Sequence, residues 1–244
     1  MRNSIGIPIC LMHNDTNHLD VFKKLGLLQE NKKVRLHLGC GSKHFDGYIN
    51  IDFPPEKHNI IKVKADFNVD IRLLFFPPES IDEIRLHHVF EHFGRIEALS
   101  LIIKWHNWLK VGGLLRIETP DIVGSAKTLL STAPWEVKMG TIRHLAGDQT
   151  AAWGYHVDHW SEDRFRHTLR NLGFAPIATT THSWKHKPFL SNVEVFATKE
   201  KNISLAEQLV RSCKLLFESV VSPEDEIPTY KIWVSQLRKI FGLK

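Results

Sequence analysis

The sequence is short of cysteine, of long apolar runs and of clustered charge, and each shortage removes a class of protein. Its three cysteines, Cys10, Cys40 and Cys213, are widely spaced and suggest neither a disulfide framework nor a CxxC metal site, so a reducing compartment is expected. No stretch approaches the roughly 20 apolar residues of a membrane-spanning helix. The apolar patch from Ile5 to Met12 follows one early arginine and is broken by Gly6 and Pro8, too short and interrupted for a secretory signal. A cytoplasmic protein is the expectation. Basic residues exceed acidic ones by +5, with a pI near 9.1, yet no run of five or more appears. A dispersed surplus reads as a solvated basic surface that permits an anionic substrate or membrane surface without compelling nucleic-acid binding.

What is present is an ordinary globular composition, 43% hydrophobic and 24% charged over 244 residues, enough for one large domain or a domain with appendages. From Val34 onward, short apolar runs alternate with helical patterns, the mark of a parallel sheet with crossovers. Strands are predicted at Val34–Leu38, Tyr48–Ile51, Ile60–Lys64, Ile81–Leu86 and Leu114–Glu118. Apolar residues from Ala98 to Leu109, spaced by three and four, predict a helix ended by Gly112-Gly113. Ser161 caps a further helix running to Gly173, and Ala175–Thr181 with Val193–Thr198 read as an antiparallel pair at the sheet edge. The expected division is a lead-in over residues 1–33 with a short helix around Leu19 to Leu28, a Rossmann-like α/β domain over 34–200, and a helical extension over 201–244. In that extension, Ser204-Leu205-Ala206-Glu207 fits a capping box, and a linker from Ser222 to Pro228 precedes a last helix bearing Tyr230, Trp233 and Leu237. The apolar faces of these helices are read as packing on the parent domain. A dimer interface or peripheral membrane contact is the alternative.

The stretch Val34 to Asp52, VRLHLGCGSKHFDGYINID, carries the chemistry. An apolar run ends in Gly39-Cys40-Gly41, and the next ends in an acid. Glycines at such a turn let backbone N–H groups approach a ligand, and Asp52 at the end of the second strand is placed to accept hydrogen bonds from a ribose diol. The bland reading is a strand leaving the sheet through a glycine turn. A dinucleotide is disfavoured, because Gly41 is followed by Ser42, Lys43 and His44 rather than a third glycine, and because Asp52 comes 11 residues after Gly41. The dinucleotide fingerprint places its acid about 20 residues beyond its glycines.

With LHLGCG, GYINID, KADFNVD, SIDEIRLHHVFEHF and WLKVGGLLRIETPD in this order, the chain resembles the class I S-adenosylmethionine-dependent methyltransferases from about Val34 to Thr198. Its nearest likeness is to small members with a shortened first crossover. The resemblance implies that Gly39, Cys40 and Gly41 lie under the methionine part of S-adenosylmethionine. It further implies that Asp52 binds the ribose hydroxyls, that Phe53 lies beside the adenine, and that Asp66 and Phe67 contact the adenine edge. His37 stands where many members keep an acid near the cofactor's ammonium group, and Lys43 stands in place of their usual third glycine. His88 is implied at the mouth facing the methyl group.

Methyl transfer needs alignment, with a base only for a hydroxyl-type acceptor. Among 15 histidines, His88 and His156 flank the expected cofactor mouth and are the catalytic candidates, with His159 and Asp158 near them in the chain. The loop from Ala146 to Trp160, with Trp153, Tyr155 and Trp160, is a candidate cover for a small-molecule or saccharide acceptor. His88-Val89-Phe90-Glu91-His92 also reads H-x-x-E-H, an inverted zinc-peptidase motif. That motif needs its ligands on one helix, whereas a strand runs into His88, so no metal set is assigned. A methyltransferase-like fold that binds without turnover is the other alternative, motivated by His37 and Lys43.

Overall fold

The computed structural model describes residues 16–29, 31–57, 62–185 and 187–243. Ile5 to Met12, and Ile60 with Ile61, lie outside the described residues. Seven strands form one sheet in the order β3-β2-β1-β4-β5-β7-β6. They are β1 (Arg35–Leu38), β2 (Ile49–Asp52), β3 (Phe67–Asn68), β4 (Ile81–His87), β5 (Leu109–Pro120), β6 (Phe174–Trp184) and β7 (Lys187–Lys199). The first five are mutually parallel, and β7 enters antiparallel between β5 and β6. This is the Rossmann-like, mostly parallel sheet expected of the class I methyltransferase fold, and its antiparallel edge pair lies where the sequence places it.

Parallel strands are buried on both faces, so their sequences run apolar. Leu36, Leu38, Ile51, Ile84, Leu86, Leu115 and Ile117 are all essentially buried. On one face, α2 (Arg95–Trp108) buries Leu101, Ile102, Trp105 and Trp108, but also Leu99, Ser100, Ile103 and His106. A helix apolar nearly all round needs cover on both sides. The sheet covers one side, and α6 (Leu205–Phe217) with α7 (Pro223–Ile240) covers the other. Leu209, Leu216 and Leu237 enter the same core, and the Arg95 guanidinium lies 4.7 Å above the Trp233 ring. Leu209 and Leu216 thus pack on the parent domain as expected, while Val210 and Val221 stay exposed.

Several expectations are corrected. The third strand is Phe67–Asn68, and the described residues Lys62–Lys64 form none. Its register is set by Asp66, which accepts the Asn50 N–H, and by Phe67, whose ring packs 5.2 Å from Phe22 of α1 (His18–Lys24). Gly112 and Gly113 do not end α2. The chain passes directly from Trp108 into β5, and the glycines form a bulge, since Leu109 pairs with Ile81 but Leu114 with Glu83. Gly112 takes φ +82° there. Ser222 to Pro228 is no linker, for α7 begins at Pro223 with Glu224, Asp225 and Glu226 in its first turn. Proline at the first helical position and acids at the positive end make a sound helix start. Two helices went unpredicted, α3 (Ile122–Leu130) and α4 (Trp135–Ala146). Among the described residues, no helix is long and apolar enough to cross a membrane.

Candidate functional site

The carboxyl ends of β1 to β6 converge on one edge of the sheet, where ligands of such folds bind. A cavity of about 650 Å³ opens there. Its walls come from the turns after β1 (Gly39 to Lys43), β2 (Asp52, Phe53, Lys57), β3 (Val69 to Arg72) and β4 (His87 to Val89, His92, Phe93). Ala152, Trp153, Trp184 and Lys185 close it.

The first half of the cavity is built from backbone. Gly39 and Gly41 take φ +69° and +56°, and a Cβ at Gly39 would overlap the Val89 side chain. Both constraints demand glycine at Gly39. The turn is bolted to β2 by Gly39 N and Cys40 N donating to Ile51 O at 2.8 and 3.1 Å. Asp52 accepts from Gly41 N at 2.6 Å and Phe53 N at 2.7 Å, which sets its carboxylate at the turn. Asp52 is held at the cavity wall, and a fixed carboxylate there is an acceptor suited to a hydroxyl-bearing ligand. Burial, with Asp52 and Asp66 nearby, pushes the Cys40 thiol up to about 12, so it stays protonated and serves as packing.

Gly39, Cys40, Gly41, Asp52, Phe53 and His88 are thus brought together around the cavity. His37, Asp66 and Phe67 are not among its lining residues. His37 is buried, its ring 4.6 Å from Phe45, and its Nδ1–H donates to Asn50 Oδ1 at 3.0 Å. That assignment follows because Asn50 Nδ2 already donates to Phe45 O, Tyr48 O and Asp66. Desolvation pushes His37 down to about 4, and the ring is neutral. Asp66 accepts from Asn50 and from His44 Nε2. Burial alone would raise its pKa, but these hydrogen bonds outweigh it and hold the carboxyl below the ordinary range. Phe67 belongs to the core. The chain after β3 meets the cavity instead through Val69, Asp70 and Ile71.

The second half is built from side chains. His88 adopts φ +55°, a left-handed conformation costing a non-glycine residue about 1–2 kcal/mol. Its ring is held on both sides. Asn192 Nδ2 donates to His88 Nε2 at 2.9 Å, because Asn192 Oδ1 is occupied by His144 Nε2–H at 2.9 Å. His88 Nδ1–H therefore donates to Glu91 Oε1 at 3.1 Å, and the imidazole is neutral with its lone pair on Nε2. Asn192 also donates to Glu118 Oε1 at 2.7 Å, which further meets His87 Nε2 and His182 Nε2 at 3.2 Å each. Burial raises Glu91 and Glu118, yet His88, His92 and His156 around the one and His87, Asn192 and His88 around the other together outweigh it and bring both down to about 2. Both are carboxylates at neutral pH.

His156 lies 3.8 Å (Nε2) from Glu91 Oε1, and burial pushes it down to about 4. It is not among the cavity's lining residues, so it joins the cluster from behind Glu91. The loop carrying it is fastened by Val157 N and Asp158 N to Glu91 O, by His92 Nδ1 to Tyr155 O at 2.9 Å, and by Trp153 Nε1 to Lys57 O at 2.6 Å. Asp158 forms a two-pronged pair with Arg164, and Trp160 is buried against Phe90. Of that loop's three aromatics, Trp153 lines the cavity. Sequence reasoning missed Asn192, His144, His182 and Glu118. Glu118 ends a predicted strand in the run ETPD and was the one that a strand-end rule would have found; Asn192 has no local signal.

No family model and no curated protein matches the sequence. Solved structures similar to the chain include an S-adenosylmethionine-dependent methyltransferase of Methanosarcina mazei, at 17% identity and TM-score 0.46 over 72% of this chain and 96% of that one. The Burkholderia thailandensis 1,6-didemethyltoxoflavin-N1-methyltransferase is similar at 13% identity and TM-score 0.48, over 75% and 76% of the two chains. A Listeria monocytogenes protein described as a putative S-adenosylmethionine-dependent methyltransferase is similar at 13% and 0.45, over 76% and 100%.

Proposed function

We propose that the protein transfers a methyl group from S-adenosylmethionine to a small-molecule acceptor, with a hydroxyl of a sugar or similar metabolite as the preferred class. The observation that carries this reading is one cavity lined both by the glycine turn with its fixed Asp52 and by His88, whose ring is bonded to Glu91 behind it. In this reading Gly39 to Gly41 lie under the methionine part, Asp52 takes the ribose diol, and Phe53 with the Val69-Asp70-Ile71 segment borders the adenine. The cofactor supplies an activated methyl group, and the protein aligns the acceptor with it. His88 Nε2 holds the lone pair. An acceptor O–H replacing Asn192 as its donor would pass its proton to that nitrogen, and the Glu91 carboxylate would stabilise the imidazolium, the logic of a carboxylate–histidine base. Trp153 and Trp184 offer flat walls for the acceptor.

Calorimetric titration of the full chain with S-adenosylmethionine tests the cofactor half. Saturable heat that Asp52→Ala weakens is the expected result. No heat with the wild type would leave a methyltransferase-like fold without its cofactor. Release of S-adenosylhomocysteine across hydroxyl, amine and carbon acceptors then tests the chemistry.

A further inference from the structure

Glu91 is 1% exposed, and its Oε2 has no hydrogen-bond partner. A buried carboxylate oxygen without a partner is costly, and native structures rarely leave one so. Its other oxygen is occupied by His88 Nδ1–H. His156, from the loop between α4 and α5 (Glu162–Asn171), brings its Nε2 to 3.8 Å from Glu91 Oε1, and its own Nδ1 is buried without a hydrogen-bond partner. His92 completes the group. Its Nδ1–H is spent on Tyr155 O, which leaves the lone pair on Nε2, the tautomer that binds a cation. The rings of His92 and His156 stand edge to face, 4.8 Å apart. One donor atom from each of Glu91, His92 and His156 lies within 4.8 Å of the others.

We propose that Glu91, His92 and His156 form a divalent transition-metal site of the zinc type, which pins the loop around His156 to the end of β4. Two imidazoles and one carboxylate suit zinc, with bonds of about 2.0–2.2 Å. A tetrahedral ion would hold its donors about 3.3 Å apart, so each must move inward by less than about 1 Å. A fourth position stays open for water, beside the cavity that His92 lines. His88, bonded to Glu91 Oε1, acts as the outer partner that orients the carboxylate.

A second group, His87, His88 and Glu118, has similar spacing but different bonding. There Glu118 Oε1 already accepts from Asn192 and faces His87 and His182, and His88 Nε2 accepts from Asn192. Its donors are satisfied without a cation, whereas in the Glu91 group the buried Glu91 Oε2 has no partner. The H-x-x-E-H spelling is thus misleading in an instructive way. Its glutamate and last histidine take part, but its first histidine bonds to the glutamate from outside the set, and a residue 64 positions beyond His92 takes its place as ligand.

The test is titration of the full chain, stripped with a chelator, with zinc chloride by calorimetry and by thermal unfolding. One equivalent should bind at micromolar affinity or tighter and raise the melting temperature. His92→Ala and His156→Ala should each weaken binding at least tenfold, and His87→Ala should leave it unchanged. His92 is partly exposed, so its variant keeps the test valid if His156→Ala fails to fold. No zinc heat in the wild type overturns the proposal. So does binding that survives His92→Ala and His156→Ala, or binding abolished by His87→Ala alone. S-adenosylmethionine titration of the same zinc-free samples scores the methyl-transfer reading separately.

Discussion

The two halves of the cavity are held by different forces. Around Gly39, Gly41 and Asp52 the wall is main chain, and its shape follows from torsion angles and strand-end hydrogen bonds. Around His88 it is a web of side chains from β4, β5, β7, α4 and the loop before α5, with Asn192 bonded to His88, Glu118 and His144 at once. A main-chain wall tolerates side-chain change but not a Cβ where none fits. A side-chain web fails at any member, because removing one partner leaves a buried polar group unsatisfied at about 1–3 kcal/mol.

The comparison is broken most sharply at His88. His88→Gln removes the base but not the cavity, so turnover should fall about 10²–10⁴-fold while affinity for S-adenosylmethionine stays within about threefold. Single-turnover rates alongside calorimetry measure both, and equal losses in the two would erase the division into halves. Asp52→Ala should do the reverse. Losing a charge-assisted contact at about 1.5–3 kcal/mol should raise the cofactor's Kd by about tenfold to a hundredfold, with little change in rate at saturation.

Stability against pH sharpens the contrast from another side. His37 and His106, both about 1% exposed, are pushed by burial to about 4. Unfolded histidine titrates near 6.5. The unfolded chain therefore binds more protons below that value, and stability present at neutral pH is lost as pH falls from about 6.5 to 4, by about 1–3 kcal/mol per ring. Urea unfolding at pH 7 and pH 5 reads this, and equal stability at both would show that the rings open to solvent. The smallest effect is expected at the loop that carries Trp153. Trp153→Phe deletes the bond to Lys57 O while keeping an aromatic wall. A loss of about 0.5–1.5 kcal/mol should raise the acceptor's KM a few-fold and lower the melting temperature by about 1–6 °C.

The legibility of the chain divides along the same line. Strands β1, β4 and β5 and the Gly39–Asp52 turn were readable because each is a local pattern, an apolar run followed by glycine or an acid. Phe67 was misplaced because β3 is two residues long and its register depends on Asp66 meeting Asn50 and on Phe67 meeting Phe22. His37 is expected near the cofactor only through the family resemblance, because it stands where many members keep an acid. Only the packing of Phe45 and the bond to Asn50 show that it is a core residue. Helix α3 carried a readable cap, since Asp121 accepts from Val123 N and Gly124 N, though Ser125 is its one buried residue and Val123 and Leu130 are exposed.

By itself, then, the sequence determined the sheet-and-crossover architecture, the glycine turn and the acid that follows it, because these rest on torsion preference and on the periodicity of neighbouring residues. The tertiary structure decided which histidines face a ligand, which are core, and which sit with an unsatisfied glutamate. Those outcomes depend on Asn192 and His144 reaching His88 across residues far apart in the chain. A hydrogen bond between distant segments leaves no mark on the spacing of either.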